Sequence, residues 1–221
     1  MTDGKYTIGI DVGGTFTDIV AVANEGTVIF SKAPSTPVDP SIGVMDAIAR
    51  LSFELQTDSA SLLAKTERIV HGTTVATNAL LERKGAKTGL LTTLGHRDVL
   101  EMREGLKDDR YNMRLPPPET LVPRYLRLGV NERMRADGTV HRKLDTASLN
   151  AAIETLRGAE VTSVAVCYLH AYKDASHEKE TRERIEAKLP GVSVSLSSEV
   201  FPEIKEYERV STTVVNAYVR P

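Results

Sequence analysis

An aspartate, two glycines and two threonines stand close together near the N-terminus, in the run Ile8-Gly9-Ile10-Asp11-Val12-Gly13-Gly14-Thr15-Phe16-Thr17-Asp18. A glycine pair lets the main chain come close to a ligand, and a tight turn there presents N–H groups to it. With the hydroxyls of Thr15 and Thr17 these donors form a concave surface suited to phosphate oxygens. Asp11 precedes the glycines and could hold a magnesium ion through water, because a hard cation on phosphates keeps part of its hydration shell. The chemistry on offer is the binding of phosphate, with a metal ion beside it.

The run is neither a Walker loop, which needs Gly-Lys-Ser/Thr, nor a dinucleotide fingerprint, which needs Gly-x-Gly-x-x-Gly opening a helix. An ordinary hairpin whose glycines only make the turn is the bland alternative. The acid before the glycines and the threonines after them favour phosphate. A second polar stretch, His71-Gly72-Thr73-Thr74-x-x-Thr77-Asn78, lies between an apolar segment and a helix-forming one. It sets hydroxyls and free N–H groups at a helix start, where the dipole favours an anion. Simple capping by Thr73 or Thr74 accounts for the same residues equally well.

The elements that must carry these stretches follow from periodicity. Tyr6 to Ile10 and Ile19 to Ala23 read as two strands of a hairpin, with a third strand from Thr27 to Ala33. Asp39-Pro40-Ser41 signals a helix start, followed by Val44, Ala47, Ile48, Leu51 and Leu55 at helical spacing. Arg68 to His71 is a short strand, Gly72-Thr73-Thr74 a turn, and Val75 to Lys84 a helix ending at Gly85 as a C-cap. Lys87 to Thr93 is a strand, and Leu94 to Leu100 a loop entering a short helix. Arg103 to Arg124, with Pro116-Pro117-Pro118 inside it, is a long irregular excursion. Tyr125 to Met134 alternates as a strand, and Asp137-Gly138 makes a hairpin turn.

Asp145 caps a helix with Leu149, Ile153 and Leu156 inward, and Val161 to Leu169 is a buried strand. Asp174 to Leu189 is a charged helix stopped by Pro190-Gly191, Val192 to Leu196 a strand, and Ile204 to Val219 a helix. Strands alternating with helices after an antiparallel start argue an α/β domain with a mixed sheet.

The 221 residues, 41% of them hydrophobic, suffice for a sizeable core. With 28 basic against 30 acidic residues the formal charge is -2, which argues against nucleic acid or an anionic membrane as partner. No apolar run reaches the roughly 18 residues needed to span a bilayer, and Met1-Thr2-Asp3-Gly4-Lys5 has no apolar signal core, so a cytoplasmic location is expected. The single cysteine, Cys167, sits in an apolar run and reads as a buried structural thiol.

Gly9-Ile10-Asp11-x-Gly13-Gly14-Thr15 resembles the first phosphate loop of the sugar kinase, heat-shock chaperone and actin superfamily. Its continuation Phe16-Thr17-Asp18, together with His71-Gly72-Thr73-Thr74-x-x-Thr77-Asn78-Ala79, resembles the hydantoinase A, oxoprolinase and acetone carboxylase family. The likeness runs along nearly the whole chain, to Asn216-Ala217-Tyr218. Where the family shows Gly-Phe-Arg-Asp, this chain has Gly95-His96-Arg97-Asp98, so only Arg97 and Asp98 carry over.

The resemblance implies an actin-like (ribonuclease H-like) ATPase lobe with a mixed sheet flanked by helices. Residues 1–200 would be the phosphate-binding lobe and residues 201–221 a helix crossing into a second lobe that this chain lacks. It implies ATP and Mg2+ as cofactors, with Asp11 as the catalytic metal-orienting carboxylate and Gly13, Gly14, Thr15, Phe16, Thr17, Gly72, Thr73 and Thr74 on the nucleotide. The implied activity is ATP-dependent hydrolysis of a cyclic amide beside a hydantoinase B-type subunit. A ketone carboxylase subunit is the alternative in the same family, and a non-catalytic interaction module the alternative outside it.

Overall fold

The computed structural model describes residues 5–105, 109, 111–116 and 119–221, in two compact units, Met1–Glu82 and Arg83–Pro221. The N-terminal Met1 to Gly4, read for a signal core, and Pro117-Pro118 of the proline run lie outside the described residues.

The first unit is a four-stranded mixed sheet in the order β3-β2-β1-β4, with β1 Tyr6–Val12, β2 Phe16–Ala23, β3 Val28–Pro34 and β4 Thr66–Thr73. β1 and β2 form the expected antiparallel hairpin, β2 and β3 a second one, and β4 runs parallel to β1. Alternation sends Ile8, Ile10, Val12, Ile19, Ala21 and Ala33 to one face. There they meet Ala47, Ile48 and Leu51 of helix α1 (Pro40–Glu54) and Leu62 of α2 (Ser59–Ala64). Asp39 caps α1 with Pro40 in its first turn, as the sequence predicts. Helix α2 was not anticipated, although Asp58 followed three residues later by Ser61 makes its cap.

Helix α3 covers Val75–Leu81 only. It therefore stops short of Gly85, which is not its C-cap. Gly85 is glycine for packing: a Cβ there would lie 2.2 Å from the ring of Tyr218. Strand β4 also continues through Gly72 and Thr73, which the sequence reading placed in the turn.

The second unit holds an all-parallel sheet in the order β10-β9-β5-β6, which the expectation of one mixed sheet does not include. Its strands are β5 Thr88–Thr93, β6 Arg127–Val130, β9 Ser163–Cys167 and β10 Ser193–Leu196. Between them come α4 Val99–Met102, a two-stranded ribbon of β7 Arg133–Met134 and β8 Val140–Arg142, and α5 Thr146–Gly158. Helices α6 Ser176–Lys188, α7 Ser197–Val200 and α8 Glu206–Val219 complete it. Leu149, Ile153 and Leu156 of α5, Ile185 of α6 and Val210, Val214 and Ala217 of α8 cover the sheet.

The single strand expected from Tyr125 to Met134 is divided. Arg124–Leu126 is a 3-10 turn, β6 ends at Val130, and β7 begins at Arg133. The alternation misleads because Arg127 points inward, where its guanidinium donates to the Val122 carbonyl, Thr120 and Glu101. The described residues from Arg103 to Pro123 contain no helix or strand, in keeping with an irregular excursion.

Candidate functional site

The candidate site is built on the outward face of the first sheet. The hairpin register sets Asp11 opposite Asp18, the parallel register sets Asp11 beside Gly72, and Asp18 stands opposite Lys32 on β3. One row across four strands thus reads Gly72, Asp11, Asp18, Lys32. These residues, with Gly9 and Phe30, line an open cavity of about 520 Å³. Lys32 pairs with Asp18 at 3.2 Å, whereas the exposed Asp11 carboxylate has no hydrogen-bond or ion-pair partner among the described residues. Like charges directly opposite on neighbouring strands repel, so a cation bound between Asp11 and Asp18 would be favoured. Among the described residues no group of three or more metal-ligating side chains occurs, so such a cation would depend on water and phosphate for its remaining ligands.

The loop between β1 and β2 is held from beneath. Gly13 N–H donates to the Phe16 carbonyl at 3.0 Å, and the Gly13 carbonyl accepts from the Ser35 hydroxyl at 2.8 Å. Ser35 N–H donates to the Thr15 carbonyl at 2.9 Å. The N–H groups of Gly14 and Thr15, both residues exposed, meet no acceptor among the described residues. Two adjacent open donors at a solvent-facing turn are what an anion requires.

Thr17 departs from the expectation that its hydroxyl joins this donor surface. It is fully buried, and its Oγ1 lies 3.1 Å from Ser35 Oγ, because alternation on β2 turns it inward between exposed Phe16 and Asp18. Its part is to brace the loop from below. The Phe16 ring lies under the Lys32 ammonium at 4.9 Å.

The second polar stretch closes on the first. Thr74 N–H and the Thr73 hydroxyl both donate to the Val12 carbonyl, at 3.2 and 3.3 Å. A Cβ built on Gly13 would lie 3.9 Å from Thr74 Oγ1, and one on Gly14 3.5 Å from Asn78 Nδ2. The capping reading holds for Thr73, whose Oγ1 accepts from Val75 N–H at 3.2 Å. It does not hold for Thr74, whose side chain makes no cap bond and instead accepts from Asn78 Nδ2 at 3.3 Å. With only seven residues in α3, its dipole adds little.

Sequence reasoning missed Asp18, Lys32, Ser35 and Asn78. The signal for Asp18 was present, since a hairpin register that pairs Val12 with Thr17 necessarily pairs Asp11 with Asp18. Arg97 and Asp98 lie in the second unit, where Asp98 takes two hydrogen bonds from Arg124 at 3.0 and 3.1 Å and touches Arg97 only at 3.9 Å. The Arg124 guanidinium holds the Asp98 carboxyl below its usual value. Cys167 is buried, and that burial pushes its thiol up, away from nucleophilic chemistry.

Residues 7–189 match the model of the hydantoinase/oxoprolinase N-terminal region. The chain belongs to this family. Caprolactamase subunit alpha of Pseudomonas jessenii is 43% identical over 223 residues, covering 100% of this chain and 32% of the relative. The crystal structure of the ATP-dependent caprolactamase from that organism superposes with a TM-score of 0.83 at 44% identity, covering 97% of this chain and 31% of the other. A nucleotide-free acetone carboxylase superposes with a TM-score of 0.88 at 28% identity, covering 98% of this chain and 32% of that one. The chain spans about a third of the length of the relatives it matches.

Among the described residues no helix is long and apolar enough to cross a membrane.

Proposed function

We propose that the chain is the phosphate-binding lobe of an ATP-dependent cyclic-amide hydrolase, residues 1–200 forming the lobe and residues 201–221 beginning the passage to a second one. The observation that carries this reading is one hairpin that holds both an unpartnered carboxylate, Asp11 on β1, and, in its turn, the open N–H groups of Gly14 and Thr15. Gly13, Gly14, Thr15, Gly72 and Thr74 would border the phosphates of ATP, while Thr73 and Thr17 hold the loops that present them. Asp11, with Asp18 across the hairpin, would hold Mg2+. Bound there, the nucleotide and metal supply a phosphoryl group and screen its charge.

In the reaction, a lactam or imide oxygen would accept that phosphoryl group, which makes the ring carbon open to water. Phosphoryl transfer asks the protein mainly for positioning and electrostatic stabilisation, and the open N–H groups of the loop with the acids of the hairpin would provide both. A hydantoinase B-type subunit is the expected partner, as the matched caprolactamase chain is itself a subunit. The location would be cytoplasmic.

A ketone carboxylase subunit is the second reading. It is favoured by the acetone carboxylase superposition, whose TM-score of 0.88 exceeds the 0.83 of the caprolactamase. Identity argues the other way, at 44% for the lactamase and 28% for the carboxylase. Assaying ATP hydrolysis by the full enzyme with lactams, hydantoins, or ketones plus bicarbonate separates the two. Stimulation by a cyclic amide alone supports the first reading, and stimulation by ketone with bicarbonate alone replaces it.

A further inference from the structure

The ribbon of β7 and β8 in the second unit carries charge that the chain does not neutralise. From Arg133 to Lys143 stand Arg133, Arg135, Arg142 and Lys143 against one acid, Asp137. Asp137 is engaged by the N–H and hydroxyl of Thr139, at 2.9 and 2.7 Å. None of the four Arg and Lys side chains forms an ion pair with a carboxylate among the described residues.

Each arginine is nevertheless held in position, and by a group other than a carboxylate. Arg133 Nη1 lies 3.1 Å from His96 Nε2, Arg135 Nη2 lies 3.0 Å from His141 Nδ1, and Arg142 Nη1 donates to Asn131 Oδ1 at 2.8 Å. A guanidinium only donates, so the imidazole nitrogen accepts in each of these two contacts. Burial, and then Arg133, push the His96 ring below its ordinary value, in agreement. The acids that act on His96 from nearby are taken: Glu132 by Thr93 and His177, Glu206 by Arg209. Arg133 and Arg142 also stand directly opposite each other, a like-charged cross-strand pair that costs stability unless an anion meets it. A two-stranded ribbon of this length is marginal by itself in water.

We propose that the ribbon is the docking surface for an acidic segment of a partner protein subunit, whose carboxylates complete the ion pairs left open here. The proposal rests on the reading of the chain as one subunit of a larger enzyme. The cations run the length of the ribbon, and Arg135, Arg142 and Lys143 are exposed, which suits an extended acidic surface better than one small anion. Nucleic acid fits less well, because the chain as a whole carries -2 and the ribbon has no Phe, Tyr or Trp on which a base could stack.

The test is association of the full-length chain with its B-type subunit, measured by titration at about 50 and 300 mM salt, for wild type and the charge reversal Arg135→Glu/Arg142→Glu. The affinity of the reversed variant should fall by about tenfold or more at low salt and lose most of its salt dependence, while thermal stability holds. Unchanged affinity overturns the proposal. Should the reversed protein fail to fold, Arg135→Gln/Arg142→Gln must weaken association in the same direction, or the proposal falls.

A glutamate-rich peptide, a single-stranded oligonucleotide and the chain alone serve as probes of the occupant. Tighter binding of the oligonucleotide than of the peptide, or self-association abolished by the reversal, overturns the assignment. None of these readouts uses turnover, so an enzyme inactive on cyclic amides would remove the reaction class and leave the docking surface standing.

Discussion

Two carboxylates show how differently the units use charge. Glu178 in the second unit is fully buried and accepts from Tyr168 N–H at 3.0 Å, the Ser197 hydroxyl at 2.6 Å and Ser198 N–H at 2.9 Å. It ties the chain leaving β9 to the chain leaving β10. Arg209, also fully buried, takes the Tyr168 carbonyl at 3.0 Å, so one residue is gripped through both its backbone groups. Asp11 in the first unit has no such bonds, and the turn of the same hairpin holds two N–H groups that are equally open. A charge whose bonds close inside the chain serves the fold. One left open in a hairpin whose turn also holds unpaired donors is what the proposed ligand site requires.

The largest effect that would test this contrast is on stability. Glu178→Ala strands two N–H groups and a hydroxyl in the core, and should cost about 3–5 kcal/mol. Thermal unfolding should shift down by roughly 6–15 °C. A shift of under about 2 °C would show that Glu178 is not structural.

Asp11→Asn should do the reverse. In the full enzyme ATP turnover should fall by about 100-fold or more, near 2.7 kcal/mol, with melting unchanged or slightly raised as the repulsion from Asp18 disappears. Undiminished turnover would remove Asp11 from the mechanism.

The two loop glycines sharpen the comparison within one turn. A Cβ on Gly13 would sit 2.9 Å from the Phe16 carbonyl, a backbone atom that cannot move aside, whereas one on Gly14 meets only Asn78 Nδ2 at 3.5 Å. Gly13→Ala should therefore destabilise by about 1–2 kcal/mol, and Gly14→Ala by under about 0.5 kcal/mol. Gly14→Val should fold and yet block nucleotide binding, which calorimetry with ATP and magnesium would register. Normal affinity in that variant would return the turn to a purely structural role.

Most of the fold could be read from sequence because its signals are local. Asp39-Pro40 starts α1, Asp145 starts α5, and Pro190-Gly191 follows the end of α6 as expected. The failures share a non-local cause. Arg127 reads as an outward strand residue until Glu101 and Thr120, distant in sequence, are seen to receive it inside. Gly85 reads as a cap until Tyr218 is found against it.

At the site, the types and spacing of Asp11, Gly13 and Gly14 led from sequence to the proposal of phosphate. Which hydroxyls stay open at the loop was not legible there, since strand alternation turns Thr17 inward and Ser35 supplies the brace. The meeting of Thr74 and Asn78 with the loop depends on the parallel pairing of β1 and β4, far apart in the chain.

The smallest predicted effect concerns pH, and its sign differs between two kinds of acid. Asp39 and Asp58, the helix caps of the first unit, are held below the usual carboxylate value by Ser41 and Ser61. Their contribution is therefore full above the unfolded value, near pH 4, and is lost as pH falls through the lower folded one. Glu178 is pushed up, burial outweighing its hydrogen bonds, so its contribution is full below the unfolded value and is lost as pH rises through the folded one. Acid melts of Asp58→Asn should keep the neutral-pH stability, since Asn also caps a helix, and should flatten the fall below about pH 4. Glu178→Gln should flatten the change above that pH instead. If both variants altered the same limb of the profile, the distinction between exposed cap and buried tie would fail.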